Sequence, residues 1–312
     1  MKRVGICFSR DFIGNKPLDN IGKKLPVYLR LLELCQRENW EVYVLTRKTY
    51  KGNGTFKGSW LLENKKFIPI TSPTRIDLVY DKTGGLIFPP DENTKMIVVD
   101  RRDFKILCWD KWAAYKKTGK YMPKTFWIGG KKNLVKVLTK VATDWVVLKP
   151  YNGLKGVGIF IGPKSEAKNF QFIGKNPKYI AQEFVDTRGG IARITNGLHD
   201  LRVAIVNGKA VWSHVRVPGE GKFMANAAQG GILTEVDYSK VPEKIKRIVN
   251  KIAKEFYQNY DNPIYSIDFG IGNDGVPKIF ELNDQIGFPL WEMKARDAFL
   301  NELVKNFESK LK

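Results

Sequence analysis

Histidine and cysteine are scarce in this chain: two of the former, His199 and His214, and three of the latter, Cys7, Cys35 and Cys108, among 312 residues. Neither histidine stands in a ligand-like cluster, which argues against a zinc centre or a histidine-centred triad. The cysteines are odd in number, widely spaced and set in apolar segments, the pattern of reduced core thiols rather than of bridges. Long apolar runs are missing too. None approaches the roughly 18 to 20 residues of a membrane span, so no membrane partner is expected. The opening MKRVGICFSRDF lacks the apolar stretch and small-residue cleavage site of a signal peptide, and the cytoplasm is the expected compartment. One phosphate-binding signature is also absent: no Gly-Lys-Ser/Thr closes a Walker loop.

What is abundant is positive charge. The chain carries 53 Lys and Arg against 32 Asp and Glu, a formal net charge of +21. Such an excess concentrates anions of every kind, from nucleotides and acidic peptides to nucleic acid, without choosing among them. The lysines are dispersed, with short pairs such as Lys116-Lys117 and Lys131-Lys132 and no arginine-rich arm, so specific nucleic-acid recognition has little support. With 43% hydrophobic and 12% aromatic residues the chain is globular, and its length favours two or three compact units.

Apolar spacing predicts a strand at 3–9, a helix within 20–39 and a strand at 41–46, a β-α-β opening of a first α/β unit that ends near Arg102. Short strands are expected at 67–69, 76–80 and 96–100, and one helix from 105 to about 117.

Chemistry gathers further on. Residues 145–150, WVVLKP, read as a strand that delivers Lys149, followed by a glycine loop at 153–158. Glycine lets backbone N–H groups approach phosphate oxygens, while Lys149 and Lys155 supply point charges. The strand 179–186 exits through Gln182, Glu183, Phe184 and Val185, a form that can present backbone groups to an adenine edge. Arg202 sits among alternating apolar residues and needs an anionic partner, either Asp200 or a carboxyl or phosphoryl group of a substrate. The hairpin 266–283 is the most telling stretch. Period-2 geometry sets Glu281 and Asn283 on one face, and the Asn273-Asp274-Gly275 turn folds the strand back so that Asp268 can join them. Oxygen donors without Cys or His suit a hard cation such as Mg²⁺, which completes its shell with water and nucleotide phosphates.

This order of parts resembles the ATP-grasp superfamily, especially the branch containing ribosomal-protein glutamate ligase and glutathione synthetase. The resemblance runs from about Asp110 to the C-terminus, and the first hundred residues look like the α/β domain that precedes it. It implies an α/β and α+β chain: an N-terminal pre-ATP-grasp domain over 1–104, a lid subdomain with the glycine loop over 105–183, and a C-terminal subdomain with the Mg-binding hairpin over 184–312. It implies ATP and Mg²⁺ as cofactors, with Mn²⁺ as an alternative. Lys111 and Lys149 resemble the phosphate-binding lysines, and Gly153, Lys155, Gly156 and Gly158 the lid. Gln182, Glu183, Phe184 and Val185 resemble the adenine hinge, and Asp200 an acidic nucleotide-binding position. Arg216 and Asn226 are similar to groups near the γ-phosphate, with Arg202 and Arg216 as the catalytic cations, and Asp268, Glu281 and Asn283 match the metal ligands. Two departures stand out: the segment RGGIARITNGL before Asp200, and Asp284-Gln285-Ile286-Gly287 where many relatives have a small-residue and proline turn.

The activity so implied is an ATP-dependent carboxylate-amine ligase working through an acyl phosphate on a small-molecule or peptide substrate, acidic if the basic surface serves it. Two other readings remain open: a spore-coat-associated type of ATP-grasp protein with an unspecified reaction, and a non-catalytic basic scaffold that binds nucleic acid.

Overall fold

Strands β1 (Arg3–Phe8) and β2 (Glu41–Thr46) are apolar on both faces, as parallel strands covered on both sides must be, and helix α1 (Leu25–Arg37) makes the crossover between them. The computed structural model describes residues 1–12, 16–92, 95–153, 156–174, 177–221, 223 and 231–312. The first sheet adds β3 (Tyr50–Gly52), β4 (Thr55–Glu63), β5 (Lys66–Arg75), β6 (Leu78–Lys82) and β7 (Ile97–Val99) in the order β3-β4-β2-β1-β6-β7, with β5 paired to β4. The strand expected at 67–69 is therefore one arm of a long hairpin. Its partner β4 carries Gly58 and Ser59 mid-strand, which blur the apolar alternation that marks a strand in sequence.

The single helix expected over 105–117 is two: α2 (Arg102–Trp109) and α3 (Lys111–Thr118). Asp110 divides them. Its extended backbone ends the first helix, and its carboxylate accepts from the N–H groups of Trp112 and Ala113, capping the second.

A four-stranded antiparallel sheet follows, in the order β10-β9-β11-β8, from β8 (Thr125–Ile128), β9 (Trp145–Pro150), β10 (Phe160–Pro163) and β11 (Tyr179–Glu183). It packs Ile128, Val146, Leu148 and Ala181 against short helices α4 (Leu134–Leu138) and α5 (Lys164–Ala167). The last sheet is antiparallel in the order β14-β13-β12-β15-β16, with β12 (Asp200–Val206), β13 (Lys209–Val217), β14 (Ile232–Val236), β15 (Tyr265–Ile271) and β16 (Pro277–Asn283). Asn207 and Gly208, both at positive φ, form the tight β12–β13 turn that their sequence predicts.

Two amphipathic helices complete the chain. Helix α6 (Glu243–Asn259) buries Ile245, Val249, Ile252 and Phe256 with one face of the last sheet, in a core shared with Phe104 and Leu107 of α2. Helix α7 (Arg296–Leu311) lays Phe299, Leu303 and Phe307 into the core of the first sheet, where Phe307 meets the Tyr80 ring at 5.3 Å. The three cysteines are buried and unbridged, and no helix among the described residues is long and apolar enough to cross a membrane.

Candidate functional site

A cleft of about 200 Å³ opens between the four-stranded sheet and the last sheet. Alternation along β9 sends Val146 and Leu148 into the core, and Val147 and Lys149 into the cleft. Lys149 is 7% exposed and donates to the Phe280 carbonyl at 3.2 Å. Burial pushes its pKa down to about 8; Glu281 opposes that shift and Lys111 adds to it. Lys111, in the first turn of α3, donates to the Gly153 carbonyl at 2.7 Å and pairs with Glu281 at 3.0 Å. Lys111 is ion-paired with Glu281 while Lys149 only feels that carboxylate's charge, and this end of the cleft favours an anion.

Gly153 and Gly156 line the cleft, the latter at φ +77°. Gly158 packs behind it, where a Cβ would lie 2.9 Å from the Tyr179 hydroxyl. Lys155 and Asn226 lie outside the described residues. At the far end Val147, Ile159, Ile161, Leu198 and Phe280 form an apolar slot beside the exit of β11. The Gln182 amide donates to Thr125 Oγ1, the Glu183 N–H to the Lys124 carbonyl, and the Phe184 N–H to Thr143 Oγ1. Phe184 also joins Trp145 and Phe223 in a ring cluster with centroids 5.3 to 6.2 Å apart.

The floor is a buried network of charge. Pairing of β12 with β15 sets Arg202 opposite Asp268, and pairing with β13 sets Asp200 opposite Arg216. Arg202 grips Asp268 with two bonds of 2.6 Å, so its anionic partner is Asp268 rather than Asp200. Arg216 reaches Asp268 at 2.8 Å and bonds Asp200 as well. Burial raises the pKa of the Asp268 carboxyl, but the two guanidinium groups outweigh it and hold the group well below the usual carboxylate range. Burial and the charge of Asp268 push Asp200 up to about 7. One oxygen of Asp200 and Nε of Arg216 are buried without a partner among the described residues, open to a bound group.

His199 is structural. Its Nε2 accepts the Ile271 N–H at 3.1 Å, which leaves the proton on Nδ1, facing the Gly197 carbonyl, and burial lowers its pKa.

The three proposed metal ligands come together at the open end of β15 and β16. Asp268 pairs with Glu281, and the Asn283 amide donates to Asp268 at 3.2 Å. Glu281 and Asn283 suit a hard cation, since Glu281 is partly exposed to the cleft and the Asn283 donor is turned to Asp268. Asp268 is differently placed. A carboxylate has about four acceptor positions: Arg202, Arg216 and Asn283 all donate to Oδ2, whereas Oδ1 takes Arg202 alone. Ligation through Oδ2 requires one of these donors to withdraw, whereas Oδ1 keeps an acceptor position. Among the described residues no three His, Cys, Asp or Glu side chains are gathered for a metal.

A second cavity of about 490 Å³ lies between β16 and the first sheet, lined by Ser9, Lys82, Thr83, Lys105, Arg202 and Asn283. It shares Lys111 and Glu281 with the first. Phe280 and Lys82 belong to these walls although neither stands in a motif, and strand period sets Phe280 opposite Glu281; the register shift of β15 and β16 beside it brings both to the cleft.

Residues 108–302, more than half of the chain, match the RimK-like ATP-grasp domain. A probable alpha-L-glutamate ligase of Haemophilus influenzae is 26% identical over 128 residues, 39% of this chain and 40% of that protein. Human N-acetylaspartylglutamate synthase A is 23% identical over 199 residues, 61% of this chain and 47% of that one. The chain thus spans less than half the length of these curated relatives. Among solved structures, D-alanyl-alanine synthetase A from Vibrio cholerae superposes with a TM-score of 0.67 at 14% identity, over 99% of this chain and 98% of that one. A RimK domain ATP-grasp protein from Sphaerobacter thermophilus gives 0.61 at 12% identity, over 99% and 98%. At such identities the likeness speaks to the fold, which is that of the ATP-grasp proteins.

Proposed function

Because the chain belongs to the RimK-like ATP-grasp family, we propose that it is an ATP- and Mg²⁺-dependent ligase that joins a carboxylate to an amine, releasing ADP and phosphate. The observation that carries this reading is the meeting of two cavities at Lys111 and Glu281. One has the apolar slot and paired lysines that suit a nucleotide, and the other opens beside it for an acid. ATP is a substrate here. Its base fits between Val147, Leu198 and Phe280, and its phosphates reach Lys149, Lys111 and the backbone at Gly153 and Gly156. A magnesium or manganese ion held by Glu281, Asn283 and Asp268 would neutralise phosphate oxygens.

The substrate carboxylate attacks the γ-phosphorus, forming a carboxyl-phosphate bond as the bond to the β-phosphate oxygen breaks. Arg202 and Arg216 supply fixed positive charge beside the developing intermediate. The amine then attacks the acyl carbon, and phosphate leaves as the amide forms. The glycine loop shields the acyl phosphate from water. The names of the relatives, a glutamate ligase and an N-acetylaspartylglutamate synthase, support an amino-acid or peptide substrate.

The test is ADP release with ATP, Mg²⁺ and pairs of amino acids or peptides, followed by mass spectrometry. An amide formed in step with ADP is the expected result. No turnover with any pair, together with tight salt-sensitive binding of nucleic acid, would replace the ligase by the scaffold.

A further inference from the structure

A third cavity, of about 340 Å³, lies at the C-terminal ends of β6 and β7, between the loop that follows β6 and helix α2. The crevice beyond the carboxyl ends of parallel strands is where open α/β sheets hold small ligands. Leu86, Ile87, Phe88, Pro89, Val98 and Ile106 give it an apolar surface. Six charged residues also line it: Asp81, Asp100, Arg101, Arg102, Asp103 and Lys105. Four of them are matched, since Lys105 lies between Asp81 and Asp284 and Arg101 pairs with Asp103 at 2.6 Å. The two left over have opposite signs.

Asp100 is 5% exposed; one of its oxygens accepts the Ile264 N–H at 2.8 Å, and no described residue donates to the other. Burial pushes its pKa up to about 7 against the pull of that N–H and of Lys310 and Lys105, and the charge of Asp284 adds to the rise. Arg102 gives Nη1 to the Phe88 carbonyl at 2.9 Å and to the Leu86 carbonyl at 3.5 Å, which leaves Nε and Nη2 without an acceptor among the described residues. Neither side chain forms an ion pair with any described residue, nor do they pair with each other. A carboxylate and a guanidinium left unmatched around an apolar space cost free energy that a ligand carrying both complementary charges recovers.

We propose that this cavity binds a free amino acid with an apolar side chain, its ammonium on Asp100, its carboxylate on Arg102 and its side chain among Phe88, Val98 and Ile106. A peptide bond would remove one of the two charges, so the ligand is the free amino acid. An ammonium kept protonated by a carboxylate is no nucleophile, which makes this ligand an effector and not the amine that a ligation consumes. Asp81, Gly85, Leu86 and Lys105 line the second cavity as well, so an occupant here lies directly against it.

Calorimetric titration of the full chain, without nucleotide or metal and above pH 7 so that Asp100 is ionised, compares three probes. They are L-leucine, isoamylamine, which lacks its carboxylate, and 4-methylpentanoate, which lacks its ammonium. Leucine is expected to bind at least about tenfold more tightly than either, the effect of one added charged hydrogen bond. Asp100→Asn should weaken leucine and isoamylamine but not 4-methylpentanoate, and Arg102→Met should weaken leucine and 4-methylpentanoate but not isoamylamine. Ile106 lines this cavity and not the second, so Ile106→Trp should weaken leucine at least about tenfold as well. Should Asp100→Asn fail to fold, the other two variants decide the matter. No binding of leucine, equal binding of the three probes, or leucine affinity that survives Arg102→Met or Ile106→Trp would overturn the assignment.

Discussion

Asp268 faces two guanidinium groups and an amide, whereas Glu281 faces one ammonium at the mouth of a cleft, so their carboxylates carry different loads. Removing the charge of Asp268 leaves Arg202 and Arg216 buried and under-paired, at a cost of about 3 to 5 kcal/mol. Glu281 is 32% exposed in its side chain, and its pair with Lys111 contributes at most about 1 kcal/mol. Asp268→Asn should therefore lower the urea midpoint sharply and Glu281→Gln barely at all, while both abolish metal-dependent ADP release. Equal stability of the two variants would remove the structural role given to Asp268. The convergence of Asp268, Glu281 and Asn283 was legible from strand period and one turn. The partner of Arg202 was not, because it depends on a β12–β15 register joining residues 66 positions apart.

At the scale of elements, the β15–β16 hairpin carries both the floor and one wall of the proposed nucleotide cleft. Gly270 permits this. A Cβ there would lie 2.1 Å from the end of the Phe280 ring and 2.9 Å from the Thr187 methyl, so the ring would be forced from its place. Phe280 lines the apolar slot, and its carbonyl holds Lys149. Gly270→Ala is expected to cost about 1 to 3 kcal/mol by overpacking and to weaken ATP binding measured by calorimetry. Gly275→Ala is the control: its φ of +70° strains any side chain, but nothing lies within 4 Å, so stability falls while ATP affinity holds. Unchanged ATP binding in Gly270→Ala would detach the Phe280 ring from the site. Elements with strong period or turn chemistry, such as β1, β9 and the Asn207-Gly208 turn, could be read directly. The break at Asp110 could not, since apolar residues continue across it and only the cap, visible in three dimensions, ends one helix and starts the next at Lys111.

In the whole molecule the cores are unequally shared. Helix α7 and the Tyr80–Phe307 contact join the first sheet to the last in one apolar core, and α2 and α6 pack on the other face of the last sheet. The four-stranded sheet keeps a smaller core of its own, from Ile128 to Ala181, and meets the remainder through the Trp112–Trp127 ring contact and polar bonds such as Lys149 to Phe280 and Lys111 to Gly153. Few apolar contacts across a junction mean low free energy for local opening. A nucleotide seated between the sheets binds the closed form alone, and at a hundred times its Kd stabilises that form by about 2.7 kcal/mol. Hydrogen exchange followed by mass spectrometry should therefore find β8 to β11 exchanging faster than β12 and β15 in the free protein. ATP with Mg²⁺ should slow exchange in β9 and β11 far more than in β1 or β2. If protection spreads evenly over all three sheets, the chain opens as one unit, and the smaller core does not act as a lid.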